Sequence, residues 1–200
     1  MMSATIDAEH FRNYFKVPAL QRLINVPVIK LDSQRRFKIE EYYLESFEKR
    51  GSLPPSLIEY DSPTISLEMY QFAMKPLLFC LKKSHESRTL ETNRTGSILV
   101  FLPGIYEIES FNKTILEQES LFHDIPYKVL FLHSSLAPDD QREAFKPSEV
   151  TKIILATNIA ESSITLPDVK YVIDFCLTKY TFLNNPSFNF ANKFSLSGTW

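Results

Sequence analysis

Apolar residues fall into four short, nearly unbroken runs in the second half of the chain: Ile98 to Leu102, Val129 to Leu132, Ile153 to Ala156 and Val169 to Ile173. Runs of this length predict strands covered on both faces, as in a parallel sheet. Each run breaks off into small or polar residues: Pro103 and Gly104, then His133 to Ser135, then Thr157 and Asn158, and finally Asp174. Between the runs the apolar period lengthens. Ile108, Phe111, Ile115 and Leu116 recur at helical spacing within 105–119, and Pro138 with two acids behind it suits the first turn of a helix over 138–145. Right-handed crossovers bring all four polar turns to one edge of one sheet. Open α/β sheets bind their ligands at that edge. The predicted fold class is α/β, a doubly wound parallel sheet within about 34–195.

The third turn carries the most chemistry, because Thr157, Asn158, Glu161, Ser162 and Ser163 crowd the end of the most apolar run. Two readings stand side by side: hydroxyls that cap the next helix, or hydroxyls that bond a ligand. Composition narrows the field. A chain of 200 residues with 44% hydrophobic and 23% charged content suits a folded domain. Its net charge of −2 gives no global drive toward nucleic acid, so any such contact must be local. Lys75, Lys82, Lys83, Arg88 and Arg94 could form a basic patch, although a solvated helix face is the ordinary reading of such a run. Cys80 and Cys176 lie in apolar surroundings without metal-ligand spacing, which predicts buried, reduced thiols and no metal site. No apolar run approaches the length of a membrane span, so no membrane partner is expected.

Taken in order, three segments resemble motifs IV, IVa and V of the DEAH-box helicases. They are Ile98-Leu-Val-Phe-Leu-Pro-Gly104, Leu132-His-Ser-Ser-Leu136 with Gln141 to Phe145, and Ala156-Thr-Asn-Ile-Ala-Glu-Ser-Ser-Ile-Thr165. The opening Met2-Ser-Ala-Thr-Ile-Asp7 resembles the motif III segment at the end of a first RecA-like lobe. Residues 28–43 and 168–178 are most similar to the tudor-domain-containing, spindle-E type. The resemblance implies a remnant of the first lobe and a linker over 1–33, and a second RecA-like lobe over 34–200, truncated before motif VI. It also implies a function: part of an ATP-dependent RNA helicase of germline piRNA-mediated transposon silencing, in cytoplasmic germ granules. The implied partners are single-stranded RNA, the first RecA-like lobe and piRNA-pathway proteins. ATP and Mg2+ would serve the complete parent protein, with no tight binding to this chain alone.

The same resemblance assigns roles to residues. Thr157 would donate its hydroxyl to an RNA phosphate, a contact that positions without reading sequence. Gly104, Ser134, Ser135 and Asn158 would line the same backbone track. Phe145 would stack on adenine, Ser162 would face the phosphates or a metal-bound water, and Asp174 the ribose. Ser3, Ala4 and Thr5 would couple the two lobes. Several positions have a plainer alternative. Phe145 also suits a core position, Ser3 and Thr5 suit a helix N-cap, and His133 reads as a hydrogen-bonded loop residue, since no nucleophile and orienting group surround it. The sequence holds no Gly-x-x-x-x-Gly-Lys-Ser/Thr loop, no Asp-Glu-Ala-His segment and no arginine-rich motif after Asp174. Those groups cradle phosphate, hold metal and stabilise the transferring charge, so the chain reads as a helicase fragment. The alternative function is a non-enzymatic module that binds RNA or protein.

Overall fold

The computed structural model of the chain describes residues 8–14, 27–29, 37–44, 64–87, 95–122, 125–162, 165–184 and 189–196. Two compact units divide the chain: Met1–Tyr43 with Thr199 and Trp200, and Leu44–Gly198. The described part of the first holds one short helix, α1 (Ala8–Tyr14), with Glu9 in its first turn and Arg12 in its last. Those charges oppose the helix dipole at each end.

The second unit opens with α2 (Leu67–Glu86), started by Ser66, whose side chain accepts from the Met69 amide at 3.2 Å. Four strands follow: β1 (Ser97–Phe101), β2 (Tyr127–Leu132), β3 (Thr151–Ala156) and β4 (Val169–Asp174). They form one parallel sheet in the order β2-β3-β1-β4. The crossovers are α3 (Ile105–Glu117), α4 (Pro138–Arg142) and α5 (Ile159–Ser162). A hairpin of β5 (Leu177–Asn184) and β6 (Asn189–Leu196) pairs antiparallel as a separate sheet.

Alternation along the central strands produces two cores. Ile98, Val100, Ile153 and Leu155 point to the face covered by α2 and α3, where they meet Leu77, Leu81, Ile108, Phe111 and Ile115. Leu99, Ile154 and Ala156 point to the other face, with Leu132, Ala144 and Ala160. Every residue of β3 is buried, which is why Ile153 to Ala156 form a continuous apolar run rather than an alternating one. Tyr70, Phe111 and Phe175 meet with ring centroids 5.6 to 6.0 Å apart, joining α2 and α3 to the segment after β4. Each fully buried side chain of this size contributes about 1.5–3 kcal/mol.

Several expectations need correction. The parallel sheet ends at Asp174, and residues 177–196 are the hairpin instead. The helix over 105–119 stops at Glu117 and tightens into a 3-10 turn at Glu119–Phe122, while 138–145 splits into α4 and a 3-10 turn, Glu143–Phe145. Leu116 is 57% exposed, because helical geometry turns it one position past the face that Ile115 and Phe111 bury. Both cysteines are free, but only Cys80 is partly buried, with its thiol pushed up to about 11 by that burial; Cys176 is exposed. Lys75, Lys82 and Lys83 lie on the solvent side of α2, whose other face is core; Arg88 and Arg94 lie outside the described residues.

Candidate nucleic-acid interface

β1 and β3 are neighbours, yet the chain leaves them toward opposite faces. After β1 it enters α3, which packs on one core, and after β3 it enters α5, whose Ala160 packs on the other. The two connections therefore part at the carboxyl ends and open a crevice between them, the position where α/β sheets take ligands. Gly104 and Thr157 stand on its two sides. The backbone beneath is closed by Leu102 N donating to Ala156 O at 2.8 Å and Thr157 N donating to Leu132 O at 3.2 Å.

Gly104 is the residue before α3, with extended backbone. A Cβ there would lie 2.7 Å from Glu107 Oε2. That carboxylate cannot easily retreat, since Glu107 is fully buried and its Oε1 is held 3.1 Å from Lys179 Nζ on β5. Its Oε2 has no hydrogen-bond partner among the described residues. Glycine thus lets the backbone pass close over a buried charge.

Thr157 is buried to 6% exposure, and its carbonyl accepts from Ala160 N at 3.1 Å. The hydroxyl makes no hydrogen bond among the described residues. A capping hydroxyl would take a free amide of the first turn, but the Ala160 amide goes to the carbonyl instead. Asn158 follows, exposed.

The turn after β2 is tightly organised. Leu136 N donates to His133 O at 3.0 Å, and the Gln141 side-chain amide donates to both His133 O and Leu136 O, at 3.1 and 3.0 Å. Within it, His133 Nδ1 accepts from Ser135 N at 3.1 Å and lies 2.7 Å from Ser135 Oγ. Ser134 is exposed and its hydroxyl makes no hydrogen bond among the described residues. At the end of β4, Asp174 Oδ1 accepts from Cys176 N at 2.7 Å, bending the chain through a left-handed Cys176 at φ 55°. One oxygen of Asp174 is thereby occupied in shaping its own turn.

The parallel strands thus bring Gly104, Ser134, Ser135, Thr157, Asn158 and Asp174 to one edge. Phe145 is not among them. It is partly buried against the second core and lines a cavity of about 130 Å³ with Thr95, Pro147, Ser148, Pro167 and Asp168, at the amino ends of the strands. Ser162 ends α5, with its side chain outside the described residues, as are Ser3, Ala4 and Thr5 altogether.

The model of the helicase conserved C-terminal domain matches residues 81–189. The chain belongs to that family. As a helicase C-terminal domain it carries the RecA-like arrangement of a parallel sheet between helices. It is 40% identical over 188 residues to a probable ATP-dependent RNA helicase spindle-E of Culex quinquefasciatus, covering 90% of this chain and 13% of that protein. A protein of the same name from Aedes aegypti is 38% identical over 200 residues, 96% of this chain and 14% of that protein. The chain therefore spans about a seventh of the length of these relatives. The crystal structure of the E. coli DExH-box NTPase HrpB aligns over 56% of this chain and 14% of that one, at 27% identity and a TM-score of 0.41.

Two features of this helicase domain went unread in its sequence. Glu107 falls on the apolar face of α3, four residues before Phe111, and an acid in that register is the signal that could have revealed the buried pair with Lys179. Gln141 stands in the motif IVa segment, but nothing in its spacing shows that it would bridge two carbonyls of the turn before it. No group of His, Cys, Asp and Glu among the described residues could hold a metal ion, and no described helix is long and apolar enough to cross a membrane.

Proposed function

We propose that this domain, as residues 34–200 of a second RecA-like lobe, grips the backbone of single-stranded RNA at its carboxyl edge within an ATP-dependent helicase. The observation that carries the reading is Thr157: a rigidly seated hydroxyl, committed to no other group among the described residues, at the crevice where α3 and α5 part. A neutral donor in that position suits a phosphate oxygen, and the neighbouring Ser134 hydroxyl and Asn158 carboxamide extend the same row of groups. Gly104 lets the strand approach the start of α3.

The nucleotide side rests on less of this chain. Phe145 offers a partly buried aromatic surface beside a small cavity at the amino ends of the strands, which suits one face of a base. Asp174, which the resemblance assigns to the ribose, ends β4 at the opposite edge, so the two do not serve one nucleotide within this lobe. Among the described residues no group of three or more His, Cys, Asp and Glu could hold a metal ion; metal and phosphates would be held by the first lobe, with Ser162 facing them and Ser3, Ala4 and Thr5 coupling the lobes. A place for the parent in piRNA-mediated silencing in germ granules is proposed from the resemblance of residues 28–43 and 168–178 to the spindle-E type alone.

Amide spectra recorded during titration with oligouridylate test the grip. Shifts should concentrate at Gly104, Ser134, Ser135, Thr157 and Asn158, with the amino-edge residues Thr95, Ser148 and Asp168 unmoved. Shifts centred on the amino edge would contradict the reading.

A further inference from the structure

Hydrogen-bond direction in the turn after β2 separates the two serines there. The amide of Ser135 can only donate, so His133 Nδ1, 3.1 Å away, must present a lone pair to it and carries no proton. The 2.7 Å contact between that same nitrogen and Ser135 Oγ is then made by the serine's own hydroxyl hydrogen. Ser135 Oγ is left with lone pairs and no hydrogen to offer. The Gln141 amide, bridging His133 O and Leu136 O, keeps the turn in this state. A phosphodiester oxygen is also an acceptor only, so Ser135 and a phosphate have no hydrogen between them. Of the groups along an RNA backbone, the ribose 2′-hydroxyl alone can donate.

We infer that Ser135 is a sugar-reading residue, accepting from a ribose 2′-hydroxyl, and that His133 is its positioning residue. The inference rests on the RNA-gripping reading of this edge. It assigns Ser135 a role distinct from that of Ser134 and Thr157, whose hydroxyl hydrogens are free among the described residues to meet phosphate. His133 acts like the acceptor of an Asx-turn, two residues before the amide it holds, and its remaining proton sits on Nε2.

The test compares oligouridylate, oligodeoxyuridylate and 2′-O-methyl oligouridylate of one length, so that bases and charge are identical and only the 2′ donor changes. Binding to the whole chain is read by fluorescence anisotropy at low salt. The unmodified RNA should bind about 2- to 10-fold more tightly than either analogue, the range for one neutral hydrogen bond. Ser135→Ala should remove that preference while leaving affinity for the deoxy form within about twofold. His133→Asn, whose Oδ1 can take the place of Nδ1, should keep the preference; His133→Leu, which frees the serine hydrogen, should lose it. A long-range proton-nitrogen spectrum of the His133 ring should show the Nε2-protonated tautomer. An unchanged preference in Ser135→Ala, or an Nδ1-protonated ring, overturns the inference. Thr157→Val distinguishes the two levels: if it weakens all three ligands alike while Ser135→Ala leaves the preference intact, the grip stands and the sugar reading falls. If the chain binds none of the three, both fall.

Discussion

The two edges of the parallel sheet differ in their polar networks. The amino edge holds a buried ion network, alongside the Thr95 and Ser97 hydroxyls and Asp168 Oδ1, which are buried without a hydrogen-bond partner among the described residues. Lys152 is 1% exposed, yet its ammonium donates to Ala144 O at 2.7 Å and Lys146 O at 2.9 Å and pairs with Asp168 at 2.8 Å. Nearby, Ser84 donates to Gly96 O at 2.6 Å and receives from Thr151 at 3.3 Å, stitching α2 to β1 and β3. At the carboxyl edge the backbone is closed, but Thr157 and Ser134 keep their hydroxyls uncommitted among the described residues, and Glu107 keeps one buried oxygen without a partner. The Lys152 network holds the fold at one end of the sheet, while the open hydroxyls of the carboxyl edge stand in the crevice where a ligand can satisfy them.

Breaking the amino edge should therefore cost the most stability and change binding least. Lys152→Met removes the donor from two carbonyls and leaves Asp168, itself 28% exposed, without its partner, so unfolding by denaturant should show a loss of about 2–5 kcal/mol, most of it from the carbonyls. RNA affinity of the remaining folded protein should be unchanged. A loss under about 1 kcal/mol would put the pair among ordinary surface bridges.

The carboxyl edge has one buried pair of its own, and it sharpens the contrast. Lys179→Met would strand the Glu107 carboxylate, but Lys179 is 26% exposed and water can follow, so a loss of about 1–3 kcal/mol is expected. Replacing both partners by Met should recover part of it, since no buried charge then remains. Failure of the double variant to recover would assign the cost to packing.

The smallest effect is expected where the carboxyl edge carries strain. Cys176 holds a left-handed backbone at φ 55° after the Asp174 turn, a conformation glycine adopts freely. Cys176→Gly should raise stability by about 0.5–1 kcal/mol in thermal unfolding. A decrease would mean that its side chain contributes packing that outweighs the strain.

These contrasts explain what the sequence could disclose. β1 and β3 were legible because burial on both faces writes a continuous apolar run, and Thr157 was legible because a strand of that kind ended beside it. α2 was legible only as a solvated helix face at its basic positions, because Pro76 in its interior and lysines interleaved with its core face obscure the apolar period. The hairpin was missed although Phe190, Phe194 and Leu196 fall on alternate positions and Asn185-Pro186 is a turn-favouring dipeptide in the sequence. Phe145 could be assigned a stacking role from its motif, but not a place at the amino edge, because that depends on where the 3-10 turn carries it. The division between Ser134 and Ser135 depends on the direction of one hydrogen bond, which residue order does not encode.

Thr157→Val tests the central claim most directly, because it keeps the volume of a buried side chain and deletes a single neutral donor. Affinity should be measured for two unrelated single-stranded RNAs across a series of salt concentrations. The expected result is a uniform loss of about 0.5–1.5 kcal/mol on both sequences, with an unchanged salt slope, since a neutral hydroxyl releases no counterion. Equal affinity for wild type and variant on both RNAs would contradict a backbone grip at the carboxyl edge.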